Sequence, residues 1–235
     1  MGDVLSELEE FIEQTRVAVH SIATATEAAL ATTSSPRRAD LIEIQPLVAV
    51  ILGEREETVH GGGFVAAPGL LEDAQWWLEW FAWDAGAVQR LVSDTDPRGA
   101  HFFDYTFMPW YAGPRDGAGP RGVVTGPYVD YLCTDDYTLT FTEAVRRSDG
   151  TFAGVAGVDV RILAVEARFL SLMRASGRLL VLVNELGRVV VSTTSRMLSG
   201  DLVDDLDLPT LFVEGDERLT RIADSELGLL DLGSR

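Results

Sequence analysis

The sequence contains no lysine. All 19 of its basic residues are arginine, set against 37 Asp and Glu, for a formal net charge of −18 over 235 residues. Without an ammonium on a flexible stem there is no Schiff-base or pyridoxal-phosphate lysine, and no Walker-type phosphate loop. Few cations also argue against nucleic-acid binding, which depends on Lys and Arg facing phosphates, and against an anionic membrane surface. The balance favours attraction of cations. One cysteine, Cys133, excludes an internal disulfide framework and suits a reducing compartment. His20, His60 and His101 are too scattered for a zinc motif or a Cys–His pair. Cys133 is therefore expected to be a buried small hydrophobe, and no catalytic residue, metal or cofactor is expected. No apolar run approaches the length of about eighteen residues that reads as a membrane span. The acidic start, Met1 to Glu7, has neither a basic n-region nor an apolar h-region. Its loose myristoylation match at Gly2 and Ser6 has no polybasic companion and is read as chance. A cytoplasmic protein is the expectation.

What is present suits a globular chain: 46% of residues are hydrophobic and 24% charged, too apolar for disorder. Residues 3–31 read as one long helix. Leu5, Leu8, Phe11, Ile12, Val19, Ile22 and Ala29 recur near helical spacing, with Glu7, Glu9, Glu10 and Glu13 opposite. Such a helix serves as a brace along the body or as a dimer seam. A second helix over 40–52 is interrupted at Pro46. His60-Gly61-Gly62-Gly63 opens a strand in which the glycines mark a close approach or a bulge. Residues 75–82 read as a short aromatic helix and 88–93 as a strand. Strands are expected over 122–132, 137–146 and 152–160, with Ser148-Asp149-Gly150 as a hairpin turn. A helix over 163–175 and a hairpin of 179–183 with 188–192 follow. The tail from Gly200, with Asp201, Asp204, Asp205 and Asp207, reads as a solvated, partly mobile face rather than a metal site. The fold class is α+β: a long N-terminal helix on an antiparallel sheet. The expected division is a helical brace over 1–52, a ligand-binding lobe over 53–162, and a linker helix with a truncated second lobe over 163–235.

The aromatic residues are concentrated. All five tryptophans lie between Trp76 and Trp110, and all five tyrosines between Tyr105 and Tyr137. Such a cluster is either a packed core with its polar tips satisfied at the rim, or an aromatic-walled pocket whose faces attract a cation.

The order of residues favours the pocket. Phe103-Asp104-Tyr105-Thr106-Phe107-Met108-Pro109-Trp110-Tyr111 is followed by Gly126-Pro127-Tyr128-Val129-Asp130, then by Gly154-Val155-Ala156-Gly157-Val158-Asp159. Over roughly residues 55–195 the chain resembles Cache-type sensor domains, the PAS-like modules of bacterial chemoreceptors and sensor kinases. Those domains carry a Pro-Trp-Tyr turn, a Gly-Pro-Tyr-x-Asp strand and a Gly-Val-x-Gly-x-Asp strand in this order. The resemblance implies that Trp110 and Tyr111 wall a pocket and that Asp130 and Asp159 bind a ligand ammonium. Tyr105, Phe103, Met108 and Tyr128 complete the expected lining. Read without the resemblance, Asp130 is a turn or strand-edge aspartate and Asp159 an N-cap for the next helix.

One departure narrows the ligand. Amino-acid-binding members place an arginine two positions before the tryptophan to clamp a carboxylate, and this chain has Met108 there. Near Phe103 a family tyrosine hydroxyl is missing as well. The resemblance therefore implies an amine or other cation lacking an α-carboxylate, unless Arg115 or Arg121 supplies a clamp from a neighbouring loop. Asp94-Thr95-Asp96 begins like a calcium loop, but Arg98 stands at a ligand position and Tyr105 where the bidentate Glu belongs. The leading expectation is a non-catalytic sensor domain for a small cation, acting through an unidentified signalling partner. It binds neither nucleic acid nor membrane, and the long helix offers a homodimer contact. The alternatives are acid–base chemistry in the same pocket, or a PAS-like dimerisation module without a ligand.

Overall fold

The computed structural model describes residues 1–84, 86–118, 121–130 and 137–234. The chain opens with α1 (Gly2–Ala31). Its buried residues, Val4, Leu8, Phe11, Ile12, Thr15, Ala18, Val19, Ile22, Ala23, Thr26 and Leu30, recur at helical spacing as one stripe. Thr15 and Thr26 sit in that stripe because their hydroxyls donate to the carbonyls of Phe11 and Ile22, at 2.7 and 2.8 Å. Each buried Leu, Ile, Val or Phe contributes roughly 1.5–3 kcal/mol relative to exposure. Next come α2 (Arg38–Leu41), a 3₁₀ turn (Ile42–Ile44) and α3 (Gln45–Glu54). The interruption expected at Pro46 is this fresh start: Pro46 lies in the first turn of α3, where its missing N–H is harmless.

The strands that follow are β1 (Val59–Ala66), β2 (Leu78–Asp84) and β3 (Ala87–Arg90). After the short helix α4 (Pro109–Arg115) come β4 (Val123–Val129), β5 (Tyr137–Arg146) and β6 (Phe152–Arg161). They form one antiparallel sheet in the order β3-β2-β1-β6-β5-β4. β2 corrects the expected helix over 75–82. Its residues alternate by two, with Trp80 on one face and Phe81 on the other, and it pairs with both β1 and β3. Bulky aromatic side chains pack well on such a pleated surface.

One face of the sheet, carrying Phe64, Phe81, Phe141, Val158 and Val160, packs with α1 into the main core. α1 is thus a brace within its own chain. A seam between two copies would have to use its opposite face, where Glu9 and Glu10 are exposed.

Helix α5 (Ile162–Ala175) leads to β7 (Arg178–Asn184) and β8 (Val189–Ser192). The tail does not stay a solvated face. Asp207 caps α6 (Leu208–Glu214), and β9 (Leu219–Arg221) and β10 (Leu227–Ser234) complete a second sheet, β8-β7-β10-β9. β10 lies inside that sheet because Leu227, Leu229 and Leu230 bury their side chains. Asp201, Asp204, Asp205 and Asp207 are themselves exposed. Cys133 lies outside the described residues. Among the described residues no helix is long and apolar enough to cross a membrane.

Candidate functional site

The sheet face away from α1 carries a second cluster: Val65, Leu78, Trp80, Tyr105, Trp110, Tyr111 and Val155. Within it lies a cavity of about 20 Å³. Val65, Leu78, Trp80, Trp110, Tyr128, Asp130, Thr140 and Asp159 line it. The glycines of β1 and β6 make room for it. A Cβ on Gly157 would lie 3.2 Å from the far edge of the Trp80 indole. One on Gly61 would lie 3.1 Å from Trp80 Nε1 and 3.3 Å from Asp159 Oδ2. Bare backbone thus lets the indole lie close to the sheet beside the carboxylate, which is the close approach read from the glycine run.

The Pro-Trp-Tyr segment is held from both ends. Asp104 accepts from the backbone N–H of Thr106 at 2.9 Å and opens the 3₁₀ turn Tyr105–Phe107. Pro109 then starts α4, and Thr142 Oγ1 donates to the Trp110 carbonyl at 2.7 Å. Trp110 is thereby fixed over the cavity. Tyr111 packs behind it, edge-on to Trp110 and Phe152, and Tyr105 donates its hydroxyl to the Ala66 carbonyl at 2.7 Å. Burial pushes both phenols up.

The polar part of the cavity is a short chain of oxygens. Tyr128 Oη and Thr140 Oγ1 are 2.6 Å apart, and Thr140 Oγ1 donates to Asp159 Oδ1 at 2.6 Å. Threonine has one hydroxyl proton, so Tyr128 is the donor to Thr140. The Trp80 indole N–H sits beside the same carboxylate, outside strict hydrogen-bond geometry. Asp159 is 3% exposed and Asp130 4%. Burial first, and the neighbouring Asp130 second, push the Asp159 carboxyl well above the usual carboxylate range; Thr140 and Trp80 oppose this. Two carboxylates sharing one dry site do not both ionise readily, so the empty pair tends to keep a proton. Chemically, such a pair can exchange its proton for a small cation.

Of the eight residues singled out in the sequence, Trp110, Tyr128, Asp130 and Asp159 line this cavity. Tyr105 and Tyr111 are fully buried in the aromatic cluster, and Met108 packs against it half-buried. Phe103 is 39% exposed and lines a separate open cleft. Asp159 is not an N-cap: α5 begins at Ile162, and its capping position is Arg161. Neither alternative clamp lines the cavity. Arg115 is held by Asp116 and the Thr106 carbonyl, and Arg121 by Glu13. The sequence reading missed Val65, Leu78, Trp80 and Thr140. Trp80 was visible only as one of the clustered tryptophans, and assigning 75–82 to a helix hid its direction.

No family model matches the sequence, and no curated protein matches it. Solved structures do. The extracellular domain of the putative histidine kinase mmHK1S-Z3 aligns with a TM-score of 0.66 at 12% identity, over 100% of this chain and 92% of that one. The ligand-binding domain of the Campylobacter jejuni chemoreceptor Tlp3 in complex with L-valine aligns at 0.57 and 14%, over 98% and 90%. That of the Pseudomonas aeruginosa PAO1 chemoreceptor PctC in complex with GABA aligns at 0.54 and 19%, over 86% and 75%. The chain therefore has the fold of the ligand-binding sensor domains of chemoreceptors and histidine kinases, the Cache-type architecture that its motifs resemble. The likeness runs the length of the chain, beyond the span 55–195 that carries the motifs. It also corrects the expected cytoplasmic location: the matching kinase domain is extracellular, and an extracellular setting is the one the comparison indicates.

Proposed function

We propose that this chain is the sensing domain of a signalling protein, and that its ligand is a small amine lacking an α-carboxylate. One observation carries the reading: Asp130 and Asp159 are buried side by side in a cavity walled by Trp80, Trp110 and Tyr128, with no arginine among its described lining residues. The two carboxylates take the ammonium, and Thr140, held by Tyr128, orients the Asp159 oxygen. The indole faces add cation–π attraction of about 0.5–2 kcal/mol each. In the motif resemblance Met108 takes the position of the carboxylate clamp, and a thioether cannot pair with a carboxylate. Residues 53–162 form the sensing lobe in this reading, 1–52 its brace, and 163–235 a linker helix and truncated second lobe with its acidic tail.

A second reading, a scaffold whose cavity is filled by its own side chains, is favoured by the small cavity volume. It leaves two buried acids with no role. A thermal-shift series separates the readings. Ethylamine and propylamine are expected to raise the Tm, and alanine and 2-aminobutyrate to leave it unchanged. Stabilisation by the amino acids alone overturns the inference from Met108, and stabilisation by neither series favours the scaffold.

A further inference from the structure

The cavity between the aspartates has about 20 Å³, room for one water-sized group. An ammonium head fits there, and the body of a larger amine does not. Leu78 lines this cavity and also an open cleft of about 340 Å³, whose other walls include Trp76, Phe102, Phe103 and Tyr105, with Val92 and Asp94. The rings are continuous between the two chambers. Phe102 meets Trp76 edge-on at 4.9 Å, Trp76 meets Tyr105 at 5.1 Å, and Tyr105 lies 6.4 Å from Trp110. Val92 is 88% exposed, and Phe103 39%. Apolar side chains left open to water beside an aromatic wall are what a ligand body would cover.

We propose that cavity and cleft are two halves of one site, and that the ligand is an arylalkylamine: the ammonium between Asp130 and Asp159, the aryl group in the cleft, with Leu78 as the partition. This rests on the amine reading above. It adds that affinity and selectivity come from the aryl group, not from the ammonium alone. Phe103 and Val92, outside the ammonium cavity, become the residues that set ligand size.

Calorimetry on the whole chain with two probes, ethylamine and 2-phenylethylamine, tests it. Wild type is expected to bind 2-phenylethylamine at least about tenfold more tightly, the order that aromatic contact and burial supply. Phe103→Ser and Val92→Asp change exposed side chains, and unaltered melting temperatures will show that both variants fold. Each is expected to weaken 2-phenylethylamine severalfold and to leave ethylamine within about twofold. Equal loss for both probes, or no loss for either, overturns the two-chamber site. So does a wild type that binds both probes equally, and the amine reading then stands without it. If wild type binds neither probe, the amine reading fails and this proposal falls with it.

Discussion

Asp159→Asn removes one negative charge from the buried pair while keeping its shape. In the folded chain, burial and then Asp130 hold the Asp159 carboxyl well above its ordinary value. Between the ordinary carboxylate range near pH 4 and that raised value, the folded state therefore binds more protons than the unfolded one. Wild-type stability should fall as pH rises through this window, and the loss should be complete above it. Asparagine has no proton to lose, so the variant lacks this slope. Each pKa unit corresponds to about 1.4 kcal/mol. Against this gain, the new amide places an N–H donor beside Trp80 Nε1–H, a mismatch of about 1 kcal/mol. The net expectation at high pH is a ligand-free variant more stable than wild type by about 1 kcal/mol or more, or about 2–4 °C in Tm for each kcal/mol. At pH 4–5 the advantage disappears. The response to amine runs the other way. A charge-assisted hydrogen bond is worth about 1.5–3 kcal/mol, so ethylamine affinity should fall about tenfold to a hundredfold. Thermal melts from pH 4 to 9, with and without ethylamine, read both effects. A variant less stable than wild type across that range, with undiminished stabilisation by amine, would refute the reasoning.

Thr140→Val keeps the volume but breaks the chain from Tyr128 to Asp159. Calorimetry and melts should show a loss of about 1–3 kcal/mol of stability and weaker amine binding; unchanged binding would mean that Thr140 does not orient Asp159. Asn184→Asp keeps the oxygen that accepts from the N–H groups of Leu186 and Arg188, and loses the Nδ2–H donated to the Gly126 carbonyl at 2.8 Å. At a site 7% exposed it should lose about 1–3 kcal/mol in denaturant titrations, and stability equal to wild type would show that this link between the lobes carries no weight.

How far the site could be read from the chain depends on whether its signals are local. The stripe of α1, the fresh start at Pro46 and the Ser148-Asp149-Gly150 turn are short-range patterns, and each appears where the spacing puts it. Trp110, Asp130 and Asp159 came from motif order, which records an architecture without showing distances. Thr140 depended on register. The turn pairs Arg146 with Phe152, and counting back from there sets Thr140 against Val158. A bulge between Val145 and Arg146 shifts the pairing by one, so that Thr140 faces Asp159. A one-residue shift turns every side chain to the other face, and no local pattern announces it. β10 was missed for the same reason. Its leucines are apolar in a tail whose acidity dominates the composition, and only pairing with β7 and β9 makes it a buried strand.

If the chain senses as proposed, the strand order offers a route from the pocket to the second lobe. Asp130 follows directly on β4 and Asp159 lies on β6, so the two acids flank β5. On the proposed function, an amine filling the cavity takes the place of the proton held by the pair and draws both acids toward a common centre. β6 is fixed between β1 and β5, whereas among the described residues β4 is an edge strand with a sheet neighbour on one side only. The change of force therefore falls on β4. That same strand is tied to the second lobe at two points. Val124 donates its backbone N–H to Glu226 at 2.7 Å, and the Gly126 carbonyl accepts from Asn184. Glu226 is a half-buried acid whose carboxyl is pushed up by burial, so breaking its bond to Val124 would leave a partly desolvated acceptor less well satisfied. On the proposed function, β4 lies beside the pocket at one end and reaches the second lobe through these two hydrogen bonds, while the stripe of α1 packs on the opposite face of the sheet.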